Sequence, residues 1–263
     1  MNAITLSPQD LAMAASLVAF DAALSLALRL RLHRQVLVAA ARMVVQLIAV
    51  GYLLRLIFAL KNPLATLVVV LVMAAVAARE IAARPERKFR GLWGLGLSAG
   101  AVAVATLVTV GLALATAIRP HPWYDPRYAV ALVGIILGSV LNASSLSLDG
   151  VVGAIDRERA AIEAQLALGA NFQAATSRLM RDAVRRGLLP IINQMSAAGV
   201  ITLPGIMTGQ ILAGLDPMEA VKYQILLMFL LAGASGLAAV TVAFAAMRRL
   251  TDDRQRLRLD RLH

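Results

Sequence analysis

The chain alternates long apolar runs with short basic patches. Runs at about residues 11–28, 36–54, 64–78, 92–118, 128–152, 188–215 and 221–247 carry few charges. Several approach or exceed the ~18 apolar residues that suggest a membrane-spanning helix. The pattern predicts an all-α, polytopic membrane protein with about seven transmembrane helices. Ser7-Pro8 supplies an N-cap and a first helical residue for the opening run. MNAITLSPQDL therefore reads as the lead-in to a membrane helix. It lacks the basic n-region and small-residue cleavage site of a signal peptide.

The patches between the runs set the sidedness. Three Lys or Arg fall in 29–35, five in 79–91, six in 153–187 and six in 248–263. The intervening loops hold only Lys61, Arg119 and Arg127. Cytoplasmic loops collect positive charge, so the N-terminus is expected outside and the C-terminus in the cytoplasm of a cell (inner or plasma) membrane. The same distribution explains most of the net charge of +11 without nucleic acid. The outer loop RPHPWYDPR, 119–127, brings an aromatic pair to interface depth. A mean hydropathy of +0.76 agrees with a membrane chain. The absence of cysteine excludes disulfides, thiolate metal sites and cysteine nucleophiles.

One inner segment, 153–187, is too long to be a simple loop. Its first half is an amphipathic helix with Ile155, Ile162 and Leu166 on one side and Arg157, Glu158 and Glu163 among its polar positions. Gly169 fits a helix stop and Asn171 the N-cap of a second helix. Two readings fit these residues: a helix pair lying on anionic lipid, or a helix–Gly–helix element presented to a cytoplasmic partner.

Polar groups inside the runs are the candidates for chemistry. Arg42 and Gln46 share one helix face at i and i+4. Asp21 lies at a depth similar to Arg42 on the neighbouring helix, and an unpaired charge in hydrocarbon is expensive; the expectation is a buried Asp21–Arg42 pair. The fifth run carries Ser139 and Asn142, and the sixth carries Gln194, Met195, Thr202, Met207, Thr208 and Gln210. Close helix packing explains most of these residues; the remainder are pathway candidates. The methionines offer soft sulfur, but Met more often fills gaps, and no His lies within a run. No metal site is defined. Within the sixth run, Pro204-Gly205 breaks an apolar stretch. A broken membrane helix is tolerated where neighbours or a cavity satisfy the freed backbone, so Pro204 and Gly205 read as a hinge or gate.

Motifs sharpen this picture. EAQLALGA, 163–170, resembles the cytoplasmic EAA-type loop of ABC transporter permeases, although the Leu-Pro of importers comes later here, at Leu189-Pro190. GVITLPGIMTGQILAGLDPMEAVKYQI, 199–225, resembles the LPGMMTGQIL block of the FetB-type permease family. ARMVVQLIAVGYLL (41–54), GIILGSVLNASSLSLDG (134–150) and RDAVRRGLLPIINQMSAAG (181–199) resemble further blocks of that family, in order, over nearly the whole chain. Ser139 departs from the Asn frequent there.

The resemblance implies a single permease domain, 1–263, with 153–187 as its coupling segment. Glu163, Ala164, Leu168, Gly169 and Ala170 would engage an ATPase. It also implies metal export, iron above all, by two permease copies with two ATPase subunits. No GxxxxGK[ST] is present, so ATP and Mg would be bound by the partner and no cofactor by this chain. An ATP-independent transporter or channel is the alternative; a hydrolase lacks GxSxG, HExxH and an intramembrane His base.

Overall fold

A computed structural model describes residues 7–60, 62–118 and 125–263. Lys61 and most of the 119–127 outer loop lie outside the described residues. The described elements are helical: α1 (Pro8–Ala27), α2 (His33–Leu60), α3 (Pro63–Ala83), α4 (Trp93–Leu112) extended by a π-helical turn at Ala113–Ile118, α5 (Pro126–Arg157), α6 (Arg159–Ala167), α7 (Phe172–Ala197), α8 (Gly205–Leu212) and α9 (Pro217–Arg249). A 3₁₀ turn at Leu259–Arg261 closes the chain.

One N-terminal device recurs. Ser7, Asp125 and Asp216 each precede a proline, and each side chain accepts a hydrogen bond from a backbone N–H of the first turn. Proline at the first helical position loses no hydrogen bond, because that N–H would be orphaned anyway. At α1 the cap is reciprocal: Asp10 N–H donates to Ser7 Oγ, and the Ser7 N–H donates to Asp10 Oδ2 at 2.8 Å.

Among the described residues six helices are long and apolar enough to cross a membrane: α1, α2, α3, α4, α5 and α9. The seventh expected span, 188–215, is not a single helix. Its first part belongs to α7, whose leading half carries Arg178, Arg181, Asp182, Arg185 and Arg186. Its second part is interrupted at 198–204 and resumes as the short α8. Apolar content made this stretch look continuous, but the chain breaks at Gly199 and Pro204, and charge lowers the hydropathy of α7 as a whole.

The chain divides into two compact units. The first holds Met1–Asn62 with Leu212–Gly214. Within it α1 and α2 pack together, and Ser25, only 4% exposed, accepts the Leu32 N–H at 3.0 Å across the turn between them. Ala22 and Ile57 are buried, while most other apolar side chains of this unit are exposed and the 18-residue apolar window of α2 has no buried position.

The second unit holds Pro63–Ile211 and Leu215–His263. Its centre is the α5–α9 pair; α3 and α4 pack on this pair, and α7 packs against both of its members. On α5 the buried seam runs Ile136, Val140, Ser144, Ser147, Leu148, Val151 and Ile155, the 3.6-residue spacing of one helix face. The facing positions of α9 are small: Ala234, Ser235, Ala238, Ala239, Val242, Ala243 and Ala246. In hydrocarbon, where burying apolar surface gains little, such small residues let backbones close and dispersion contacts accumulate. The closest approach is at Gly187 of α7. A Cβ there would meet the Ala143 carbonyl oxygen at 2.7 Å, Ser147 Cβ at 3.1 Å and Ala239 Cβ at 3.2 Å. Ser147 Oγ donates to the Ala239 carbonyl at 3.1 Å, tying α5 to α9 at the same level.

Beyond α9 the tail folds back. Phe89 and Leu262 form an antiparallel bridge, with Lys88 and His263 exchanging backbone hydrogen bonds of 3.1 and 2.9 Å. Both bridged side chains are buried.

Candidate functional site

The tight crossing at Gly187 opens, along the same three helices, into a small cavity of about 210 Å³. Its lining includes Ser139 and Asn142 from α5, Pro190 and Gln194 from α7, and Ser235 from α9. Ser139 and Ser235 share a hydrogen bond of 2.7 Å between their hydroxyls. Ser235 is buried, Ser139 half-buried, and Asn142 and Gln194 are exposed. Pro190 sits inside α7, where it cannot donate to the carbonyl four residues earlier. The cavity is thus edged by hydroxyl and carboxamide oxygens with no formal charge among its lining residues. Three sequence-predicted pathway residues, Ser139, Asn142 and Gln194, meet here. Ser235 was missed. Its signal is a lone hydroxyl in the small-residue stretch GASG of the last run, a pattern that also reads as plain helix packing.

Met195 lies on α7, next to Gln194 and partly exposed. The other sixth-run candidates fall on the break and on α8. Gly199 takes φ +84°, which glycine adopts without a Cβ penalty. Its N–H donates to the Thr202 carbonyl at 2.9 Å, and Thr202 N–H donates to the Ala197 carbonyl at 3.0 Å. A closed turn therefore separates α7 from Pro204. The Pro204 carbonyl accepts from the backbone N–H of Thr208 at 3.0 Å and its hydroxyl at 3.2 Å. Thr208 thus satisfies the start of α8, which opens at Gly205. Met207 is half-buried, and Gln210 Oε1 is buried without a hydrogen-bond partner among the described residues. Val200 and Ile201 are strongly exposed.

Arg42 and Gln46 lie on α2, in the other unit, with exposed side chains. Asp21, on α1, is exposed as well. Among the described residues no group of three or more His, Asp or Glu converges as metal ligands.

A second feature lies at the α6–α7 turn. Leu168, Gly169 and Ala170 N–H groups donate back to Ala164, Leu166 and Gln165 carbonyls at 3.0–3.1 Å. Gly169 takes φ +91°, the left-handed residue of a helix stop. Asn171 Oδ1 accepts from Ala174 N–H at 2.7 Å to start α7. Ile162 and Phe172 anchor the two helices in the core, while Leu168 at the tip is 88% exposed. Glu163 pairs with Arg159 at 2.8 Å, and Arg178 bridges to Glu158. From the tail, Gln255 Oε1 accepts the Phe172 N–H at 2.9 Å, one of the donors a helix N-terminus leaves unsatisfied.

Six helices long and apolar enough to cross a membrane, among the described residues, define a multi-pass α-helical membrane protein. The chain belongs to the uncharacterised protein family UPF0014, whose profile matches residues 8–251. It is 40% identical over 229 residues to the UPF0014 membrane protein slr1647 of Synechocystis sp., covering 87% of each chain. It is 30% identical over 258 residues to the probable iron export permease protein FetB of Escherichia coli, covering 98% of this chain and 97% of that one. The UPF0014 membrane protein STAR2 of Oryza sativa subsp. japonica is 33% identical over 227 residues, 86% of this chain and 78% of its own. No solved structure matches the chain.

Proposed function

We propose that this chain is the permease subunit of an ABC-type transporter that exports a metal ion, iron first among candidates, across the cell membrane. The N-terminus faces out and the C-terminus the cytoplasm. A separate ATPase subunit binds ATP and Mg, and two copies of each subunit assemble. The observation that carries the reading is the α6–α7 turn. An exposed leucine sits at the tip of a glycine-closed, capped helix pair rooted in the core. An apolar tip on a rigid mount serves to seat in a partner's cleft and to transmit its movement.

Three further facts support the reading. The Escherichia coli relative, matched over 97% of its length, is named a probable iron export permease protein. The lining of the polar cavity offers hard oxygen atoms, the donor type that suits hard cations. At ~30 Å³ per water, a cavity of about 210 Å³ has room for an ion with part of its hydration shell. Pro190 and the 198–204 break give α7 and α8 places to bend, so motion at the turn can reach the cavity along one helix.

Co-expression with the cognate ATPase tests this. Leu168→Asp should abolish co-purification of the ATPase while the permease remains folded and membrane-inserted. Undiminished capture and transport by that variant would refute the coupling role.

A further inference from the structure

A second cavity, of about 920 Å³, is larger than the polar one. It lies between the start of α4 and the basic end of α9, and the tail closes it. Leu92, Trp93, Gly96 and Leu97 of the α4 segment and Ala245 of α9 give it an apolar wall; Arg248, Arg249 and Arg261 give it a cationic rim. No acidic residue lines it.

The rim is built rather than incidental. The Arg249 guanidinium stacks 4.1 Å from the Trp93 ring. Its Nε is buried with no hydrogen-bond partner among the described residues. Arg261 is brought in by the tail: its Nη1 donates to the Arg249 and Thr251 carbonyls at 2.6 and 3.0 Å, and its own carbonyl accepts the Arg90 N–H at 2.9 Å. The tail acids are bonded to arginines outside the rim, although the Asp260 charge also acts on Arg249 and Arg261. Asp260 holds Arg258 through two bonds of 2.8 Å, and Asp252 holds Arg256 at 2.8 Å. Three arginines with one carboxylate, Asp260, near two of them leave the rim net positive beside a wall of exposed Leu92 and Trp93.

We propose that this cavity binds an anionic phospholipid. Its phosphate sits among Arg248, Arg249 and Arg261, and an acyl chain lies along Leu92, Gly96 and Leu97. Basic pockets between membrane helices favour acidic head groups, and a Trp at this level marks the interface where head group and chain meet. The volume is at the upper end of organic-ligand sites and far beyond what an inorganic anion fills. The lipid bridges α4, α9 and the returning tail.

Full-length protein with Trp123→Phe leaves Trp93 as the single tryptophan. It is reconstituted with phosphatidylglycerol or phosphatidylcholine carrying brominated acyl chains, and Trp93 quenching is titrated. At about fivefold per arginine near the surface, two arginines predict a roughly 25-fold lower half-saturating mole fraction for phosphatidylglycerol. Arg248→Gln with Arg249→Gln should move that curve onto the phosphatidylcholine one, whereas Lys at both positions should keep most of the preference. Should the Gln pair fail to fold, Gly96→Leu, whose side chain meets open space, should weaken quenching by filling the acyl groove. Equal curves for the two lipids in the parent protein would overturn the proposal. So would displacement of the brominated lipid by millimolar inorganic phosphate, which would mark a free-anion site.

Discussion

Gly187 is the most constrained glycine in the protein, and replacing it isolates the energetics of the three-helix centre. Two effects oppose one another in Gly187→Ala. Removing a helical glycine gains up to ~1 kcal/mol from the backbone. The new Cβ would stand 2.7 Å from the Ala143 carbonyl oxygen and 3.1–3.2 Å from two other side chains. The nearest clash is with backbone, so relief requires α5 and α7 to separate. Overpacking of this kind costs about 1–3 kcal/mol, and the clash should win by about 1–2 kcal/mol. Gly138 on α5 is the internal control, since a Cβ there meets nothing within 4 Å and Gly138→Ala should show only the backbone gain. Using ~2–4 °C per kcal/mol for a chain of this size, Gly187→Ala should melt about 2–8 °C below the parent and Gly138→Ala slightly above it. Thermal unfolding of both in detergent, followed by circular dichroism, reads the difference. Equal or raised melting temperatures in the two variants would refute the claim that Gly187 leaves no room for a methyl group.

Other predictions follow from single contacts. Gly169→Val forces a β-branched residue to φ +91° with no steric neighbour to blame. It should abolish ATPase stimulation at unchanged membrane insertion, read by hydrolysis in proteoliposomes. In a double-mutant cycle, Ser139→Ala and Ser235→Ala should show a coupling of about 1 kcal/mol, the worth of one hydrogen bond; strict additivity would deny the 2.7 Å contact. Gln255→Ala should raise hydrogen exchange at the Phe172 amide, whose acceptor is lost, without changing exchange on α5. The Arg258 hydrogen bonds and charge hold Asp260 down to about 2, below its ordinary 3.8. A carboxylate with a depressed folded value contributes above its unfolded value and loses that contribution as pH falls. Protection of the Phe89–Leu262 bridge should therefore be flat from pH 5 to 8 and decline only between about pH 4 and 2.

Apolar periodicity and capping residues made much of the fold legible. Ser7, Asn171 and Gly169 do what their types and positions imply, because caps and stops depend on local backbone geometry. The break that Pro204-Gly205 announced in 188–215 is present, but it begins earlier, where α7 ends at Ala197. The helix continues through Pro190, which lines the polar cavity, and ends at Ala197, before Gly199. The meeting of Ser139, Asn142 and Gln194 was visible as two polar runs. Ser235 and the tail were not, because a serine among alanines and a basic terminal stretch each have a commoner explanation. The pairing of Phe89 with Leu262 joins residues far apart in the chain, and no local pattern announces such a contact.

The account centres on a polar cavity driven through the α6–α7 turn by a partner ATPase. The most direct test is reconstitution of both subunits in proteoliposomes, with ATP hydrolysis and iron movement followed together. The account predicts iron-stimulated hydrolysis and ATP-dependent transport. Asn142→Ala with Gln194→Ala should lose both responses while the ATPase still binds. Iron movement at the same rate without the ATPase, or no response of either activity to iron in the parent complex, would contradict it.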